Sequence, residues 1–349
     1  MTAVRRVLVI QTFWGKRSNR FLARQLEMLR RHDALAAVGV LHPTGTRSWR
    51  GVPVVNLGDP PGPGGTARWF VRGLLRRFGV SPVRLRRQPA EGLRSLLASS
   101  SIDAILCHYA TTSVALQDVL KSASEDLFIH LHGYDTFEKM CPDGHREAVV
   151  DLSRRSMLIC NSESTRSRVA QWGVDSDRMV LKYYGVEVPD QPQPREAPQE
   201  TVILQLGRLI GFKGPDRTIE AFETACSKGL KAQLVLAGDG PLRSLCEEMR
   251  QRSRYRDRIR LTGAVSWEEA DRLRSEAHVY TQHNLFDPSS GQVEAFGVAV
   301  VEAMASGLPM VGTRSGGVVE TVVHGETGAL VEPEDVDAQA EWLLRLGAD

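Results

Sequence analysis

The sequence predicts an α/β protein of two doubly wound domains, each a parallel sheet with helices on both faces. Three observations lead there. Short, unbroken runs of aliphatic and β-branched residues alternate with longer amphipathic stretches. The alternation stops at a proline-rich segment and resumes beyond it. The chain has 349 residues, 42% of them apolar and 25% charged, and at that length a single core has usually stopped growing.

Arg6 to Ile10 reads as the first strand and Phe21 to Arg31 as the helix that follows it. Ala104 to Cys107 then pairs with a helical stretch from Val114 to Lys121, and Phe128 to Leu131 is a further strand. Met157 to Cys160 precedes the helical pattern Ser164 to Trp172. Continuous rather than alternating apolar strands, each followed by a helix, are the mark of parallel βαβ units. The segment VPDQPQPREAPQE, Val188 to Glu200, holds four prolines and little apolar matter, so it reads as a linker. The expected division is a first domain over 1–188, a linker over 189–200 and a second domain over 201–349.

In the second domain the predicted strands are Thr201 to Leu206, Gln233 to Ala237, Ile259 to Thr262, His278 to Thr281 and Met310 to Val311. Helices are expected from Pro215, Pro241, Trp267 and Gly297 and near the carboxyl terminus; proline favours the first helical position. Open α/β sheets bind ligands at the carboxyl ends of their strands, so two such domains point to function at an interdomain cleft.

Composition narrows the classes of function. Lysine and arginine number 44 against 42 aspartates and glutamates, so nothing global favours nucleic acid. The five cysteines are scattered, odd in number and form no Cys-x-x-Cys pair, so neither a disulfide framework nor a zinc ribbon is indicated and reduced, cytoplasmic thiols are the simplest account. No apolar run approaches membrane-spanning length. One stretch is locally basic. Between Arg68 and Arg94 stand eight arginines and one acid, Glu91, with Trp69, Phe70, Leu74, Leu75 and Phe78 interleaved, a pattern suited to peripheral contact with anionic headgroups or to a solvated helix face. The loop Gly58 to Gly65 reads as a surface connection.

Two loops of the second domain carry the clearest chemistry. Gly207-Arg-Leu-Ile-Gly-Phe-Lys213-Gly places a guanidinium and an ammonium five positions apart after a strand, where together they can neutralise a pyrophosphate. Val293-Glu294-Ala-Phe296-Gly297-Val298 precedes and opens a helix with Glu302 in its second turn. A helix start at Gly297 offers unpaired N–H groups and a positive dipole end to phosphate, and Glu302 can accept hydrogen bonds from ribose hydroxyls. The bland alternative is a pair of solvated glutamates on an exposed helix.

In the first domain, His130-Leu-His132-Gly-Tyr-Asp135 follows a strand, and the two-residue period puts His130 and His132 on one face. With only Cys141 and His145 as loosely spaced further ligands, a metal site is not expected. Asp175-Ser-Asp177 and Asp335-Val-Asp337 resemble a metal-binding Asp-x-Asp, yet the first lies in a turn and the second opens a helix, where acids suit the dipole.

Taken together, Gly207 to Gly214, Leu236-Ala-Gly-Asp-Gly240-Pro-Leu242, Leu261-Thr-Gly-Ala-Val265, the Glu294 and Glu302 pair, and Gly325-Glu-Thr-Gly-Ala-Leu-Val331 resemble the retaining GT-B fold glycosyltransferases of family 4, also called group 1. The resemblance implies a donor held by the second domain. Arg208 and Lys213 would lie on the pyrophosphate with Gly207 and Gly240 beside it, and Phe296, Gly297 and Val298 at the phosphates. Glu302 would hold the ribose, Glu294 the transferred sugar, and Gly263 to Val265 the base. It implies His132 beside the donor sugar, Asp135 as an acceptor contact or a helix cap, a hexose-type sugar carried by UDP or GDP, a saccharide or lipid-linked acceptor, and no required metal. Ser18-Asn-Arg-Phe21 and His132-Gly-Tyr-Asp135 resemble the exopolysaccharide branch; the loop after the first strand departs from the family's paired glycines in holding only Gly15, a donor contact by analogy. The chain ends at Leu346-Gly-Ala-Asp349, where family members usually continue into another helix. Two rivals remain at this stage, a nucleotide-sugar epimerase of the same fold and a silent nucleotide-sugar-binding protein.

Overall fold

A computed structural model describes residues 5–14, 20–42, 44–57, 87–189 and 200–347. Gly15, the 58–65 loop, most of the basic stretch (68–86) and most of the predicted linker (190–199) lie outside the described residues. The chain divides into two compact units, one of 1–161 with 165–182 and the other of 162–164 with 183–349.

The first unit runs β1 (Val7–Gln11), α1 (Arg20–Arg31), β2 (Leu35–Val40), β3 (Ser48–Trp49), β4 (Val52–Asn56), α2 (Arg87–Ser99), β5 (Ala104–His108), α3 (Ala110–Ala115), α4 (Gln117–Leu120), β6 (Asp126–His130), α5 (His145–Ser153), β7 (Ser156–Cys160), α6 (Glu163–Gln171) and β8 (Met179–Leu181). Its eight strands order as β3-β4-β2-β1-β5-β6-β7-β8, parallel but for the β3–β4 pair. Successive strand residues feed opposite layers. Leu8, Ile10, Ile105 and Ile129 enter one core and Val9, Val38, Val40 and Leu106 the other, as a sheet covered on both faces requires. The single helix expected over Val114 to Lys121 is instead two short ones that meet at Leu116.

The second unit runs β9 (Thr201–Leu206), α7 (Pro215–Ser227), β10 (Ala232–Ala237), α8 (Arg243–Arg252), β11 (Ile259–Gly263), α9 (Trp267–Glu276), β12 (Val279–Gln282), α10 (Val298–Ala305), β13 (Met310–Thr313), β14 (Gly328–Val331) and α11 (Val336–Leu346). The six strands, all parallel, order as β11-β10-β9-β12-β13-β14. By position within the unit this is 3-2-1-4-5-6, the dinucleotide-fold order, whose direction of winding reverses between β9 and β12. Ile203, Leu234, Phe222 and Leu343 pack on one face, and Leu204, Val235, Leu273 and Val300 on the other.

Pro215 does open α7 at its first position, but α8 begins at Arg243 rather than at Pro241. Pro241 and Leu242 are spent on a turn, because the Leu242 N–H donates to the Leu209 carbonyl at 3.0 Å and ties this segment to the loop after β9. Both Asp-x-Asp sequences serve as local caps: Asp175 accepts from the Asp177 N–H, and Asp335 accepts from the Ala338 N–H at the start of α11. Among the described residues no helix is long and apolar enough to cross a membrane.

Candidate functional site

In the second unit the winding reversal puts the loop after β9 beside the loop after β12, where a parallel sheet takes its ligand. The first of these loops is built on close backbone approach. Leu209 N–H donates to the Asp239 carbonyl at 3.0 Å, and a Cβ on Gly240 would stand 2.4 Å from the Leu209 carbonyl oxygen, so only glycine fits there. Gly214, at φ +50°, then turns the chain into α7. Those constraints aim Lys213 inward while Arg208 stays exposed.

Lys213 forms an ion pair with Glu294, and both side chains are nearly buried, at 13% and 12% exposure. Burial alone pushes the Glu294 carboxyl upward. The Lys213 ammonium, the Phe296 N–H and the Arg208 guanidinium outweigh that effect and hold the carboxyl below the usual range. The pair is therefore ionised, and a strong cation and a strong hydrogen-bond acceptor stand together at the mouth of the sheet.

Glu294 is fixed through its backbone. Its carbonyl accepts from the Gly317 N–H at 2.8 Å, and Gly316, at φ +55°, passes so close that a Cβ there would lie 1.9 Å from the same oxygen. Downstream, Gly297 at φ +87° caps α10 and leaves the helix start facing the loop. The Phe296 ring does not share this role. It is buried, stacked at 5.7 Å on Tyr183 and edge-on at 5.3 Å to Tyr184, so a ligand can meet Phe296 only through its backbone. Val265 likewise packs its side chain against the core, and Val298 is partly buried at the helix start. Glu302 lies one turn inside α10, 3.4 Å from the guanidinium of Arg274 on α9. The next histidine in the β12 loop, His283, is structural: it bonds Gln339 Oε1 at 2.6 Å through Nδ1 and accepts from the Glu334 N–H through Nε2.

The first unit gathers histidines. β5 and β6 pair in register with His108 opposite His130, and His132 follows two residues on. His108 Nδ1 lies 2.9 Å from His132 Nε2, and the His130 and His132 rings are 4.5 Å apart. Phe21 and Tyr109 enclose the His132 ring at 5.0 and 4.4 Å, and Tyr109 holds φ +70°, a strained value for an aromatic residue. Burial first, and neighbouring positive charge second, lowers all three imidazoles: His108 and His132 well below their ordinary value, His130 to about 4. The cluster is neutral at pH 7.

Three imidazoles with ligand atoms within 4.8 Å of one another have the composition of a transition-metal site. The Lys182 charge disfavours a cation at His130. A hydrogen bond joins His108 to His132, and His130 meets both through ring contacts. Sequence reasoning missed His108. The signal was available, since the strand runs before His108 and His130 both end on histidine and adjacent parallel strands align their carboxyl ends.

Asp135 corrects an expectation. Rather than lying open to an acceptor, its carboxylate is fully buried and accepts from the Ala110 N–H at 2.6 Å and the His132 N–H at 2.9 Å. It also does not cap the segment that follows it; it clamps the start of α3 to the turn that presents His132. Burial raises its pKa, and those backbone donors oppose the shift.

The neutral cluster makes the first unit sensitive to acid. His130 titrates near 6.5 when unfolded and near 4 when folded, so the folded state binds its proton more weakly. Its contribution to stability is complete above about pH 6.5 and is lost as the pH falls towards 4, by on the order of 2–3 kcal/mol at pH 4.5. Urea unfolding at pH 7.5 and 4.5 should show that loss in the parent protein and a smaller one in His130→Gln; equal losses would remove His130 as the source.

Comparison with known proteins extends these observations. Residues 189–349 match the family described as Glycosyl transferases group 1. The gpi3 subunit of the phosphatidylinositol N-acetylglucosaminyltransferase of Schizosaccharomyces pombe is 30% identical over 53% of this chain, which spans 40% of that protein's length. WcaL of Escherichia coli, a candidate colanic acid biosynthesis glycosyltransferase, is 24% identical over 78% of the chain and 70% of its own length. Among solved structures, HepE of Anabaena in complex with UDP and glucose aligns with TM-score 0.74 and 19% identity over 98% of this chain and 89% of its own. Sucrose-phosphate synthase from Thermosynechococcus elongatus aligns with TM-score 0.73 and 18% identity over 99% and 90%. At those identities the likeness is one of fold, and the fold is GT-B.

Proposed function

Because residues 189–349 belong to the glycosyl transferases group 1 family, we propose that the chain transfers a sugar from a nucleoside diphosphate sugar to a hydroxyl group, with retention of the donor's anomeric configuration. The observation that carries this reading is the ionised Lys213–Glu294 pair held between the loops after β9 and β12. A diphosphate leaving group gathers negative charge as the glycosidic bond breaks. A preorganised ammonium, a second cation at Arg208 and the start of α10 supply stabilisation there without the cost of reorganising water. Glu294 accepts from hydroxyls of the transferred sugar, and Glu302 accepts from the ribose.

In the first unit, a neutral His132 donates or accepts one hydrogen bond and serves to orient a sugar rather than to attack it. UDP is supported as the nucleotide by the HepE complexes with UDP and UDP-glucose, and GDP by a relative in Mycobacterium tuberculosis described as a GDP-mannose-dependent mannosyltransferase. The lipid-linked acceptors in the descriptions of that relative and of the gpi3 subunit support a lipid-linked acceptor here.

The test is a thermal-shift series with UDP, GDP, ADP and TDP and their sugars. A ligand present at a hundred times its dissociation constant adds about 2.7 kcal/mol to the folded state, so one base should raise the melting temperature by several degrees. A protein that none of them stabilises would refute the proposal.

A further inference from the structure

A buried arginine behind the donor loops has no part in the account so far. Arg274 sits in the last turn of α9, its side chain 4% exposed, on the same helical face as the buried Ala270 and Leu273. One of its nitrogens pairs with Asp271 a turn earlier, and another lies 3.4 Å from Glu302 Oε2 on α10. Glu302 is itself only 12% exposed, whereas Asp271 is 49% exposed. The three side chains sum to one net negative charge. Both carboxylates share the guanidinium; Asp271 is open to water, whereas the sheltered Glu302 has the guanidinium as a cation facing it from α9.

A bridge that only joined two helices would gain little, because desolvating a guanidinium offsets most of its attraction to a carboxylate. What the bridge does provide is orientation. The contact is an ion pair without hydrogen-bond geometry, and the attraction of the guanidinium draws one Glu302 oxygen towards α9 and so turns the carboxylate and its remaining acceptor positions. Beneath them Tyr280, fully buried on β12, donates its hydroxyl to the Leu206 carbonyl at 2.9 Å, next to the loop that carries Lys213, and the charges of Glu294, Arg274 and Glu302 all bear on it.

We propose that Arg274 is a positioning residue that holds Glu302 in the orientation needed to accept hydrogen bonds from a vicinal diol, and so sets the preference of this site for a ribose over a deoxyribose. The proposal rests on the reading of Glu302 as the ribose acceptor. A site built to pair with hydroxyls rejects an analogue that lacks them, and it does so only while its acceptor is correctly aimed.

The experiment compares dissociation constants, by calorimetry, for UDP and GDP and their 2′,3′-dideoxy analogues. The proteins are the parent, Arg274→Met, Arg274→Lys and Glu302→Gln. The parent should bind the ribonucleotide at least tenfold more tightly than the dideoxy compound. Arg274→Met should collapse that ratio by about tenfold while leaving dideoxy affinity unchanged, and Arg274→Lys should restore part of it. Equal weakening of both ligands, or an unchanged ratio, in folded Arg274→Met would overturn the proposal by making the arginine merely structural. Should that variant fail to fold, an Arg274→Lys protein with the parent's full ratio and an unchanged pH profile of that ratio would overturn it equally. A parent with no ribose preference, or a Glu302→Gln variant that keeps it, would show that the underlying reading of Glu302 is what failed.

Discussion

Lys213→Ala is expected to lower sugar transfer by at least about 10²–10³-fold, the loss typical when one preorganised charge facing a developing anion is removed. The structure adds a second effect that the sequence does not foretell. Lys213 is the ion-pair partner of a nearly buried Glu294, so truncation leaves that carboxylate with only the Phe296 N–H and the Arg208 charge and should cost about 1–3 kcal/mol of stability. Loss of activity could then be mistaken for unfolding. The two separate in a double variant, Lys213→Met with Glu294→Gln, which buries no unpaired charge. Its melting temperature should recover most of the loss while transfer stays abolished. Assayed well below the melting point of each protein, a single variant with near-parent turnover would contradict the role given to Lys213. A double variant as unstable as the single one would contradict the account of the pair.

Gly316→Ala should produce a large fall in stability for a one-methyl change. The new Cβ would stand 1.9 Å from the Glu294 carbonyl oxygen, a backbone atom that cannot swing aside, at a φ of +55° that side chains tolerate poorly. Moving that carbonyl also breaks its 2.8 Å bond from the Gly317 N–H and drags Glu294 from Lys213. A loss above about 4 kcal/mol follows, with nucleotide binding lost in any folded remainder. Gly325→Ala is the control. Its φ is +85°, but nothing lies within 4 Å of the added methyl, so only the conformational strain of about 1 kcal/mol applies. Chemical denaturation of the two variants side by side checks the contrast, and equal losses would mean that the close approach to Glu294 is not what requires glycine.

The elements legible in the sequence were those with a strong local signature. Thr201–Leu206 and the helix from Pro215 coincide with β9 and α7, and the other strands predicted in the second unit fall within two residues of those observed. A continuous apolar run needs only its own residues to announce a buried strand, and a proline at the first helical turn needs only its own ring. β2 and β4 were not named from the sequence although their apolar runs, Leu35–Val40 and Val52–Asn56, carry the signature. β3, β8 and β14 escaped because two to four residues carry too little pattern, and their strand character comes from a neighbour's free edge. α8 starts late for a similar reason: a hydrogen bond from Leu242 to a loop 33 positions earlier decides what Pro241 does.

By itself, then, the sequence determined the parallel α/β grammar, the restart beyond the proline-rich segment, and the loops on which Lys213 and Glu294 stand with the helix that carries Glu302, because all three follow from periodicity and turn chemistry within a short window. Only the tertiary structure decided which charges meet. Lys213 and Glu294 are 81 positions apart, His108 and His132 are 24, and Arg274 and Glu302 lie on separate helices. Such pairs arise from strand order and register, which bring the carboxyl ends of distant strands together. Burial then converts that nearness into chemistry by removing the water that would otherwise screen one side chain from the next.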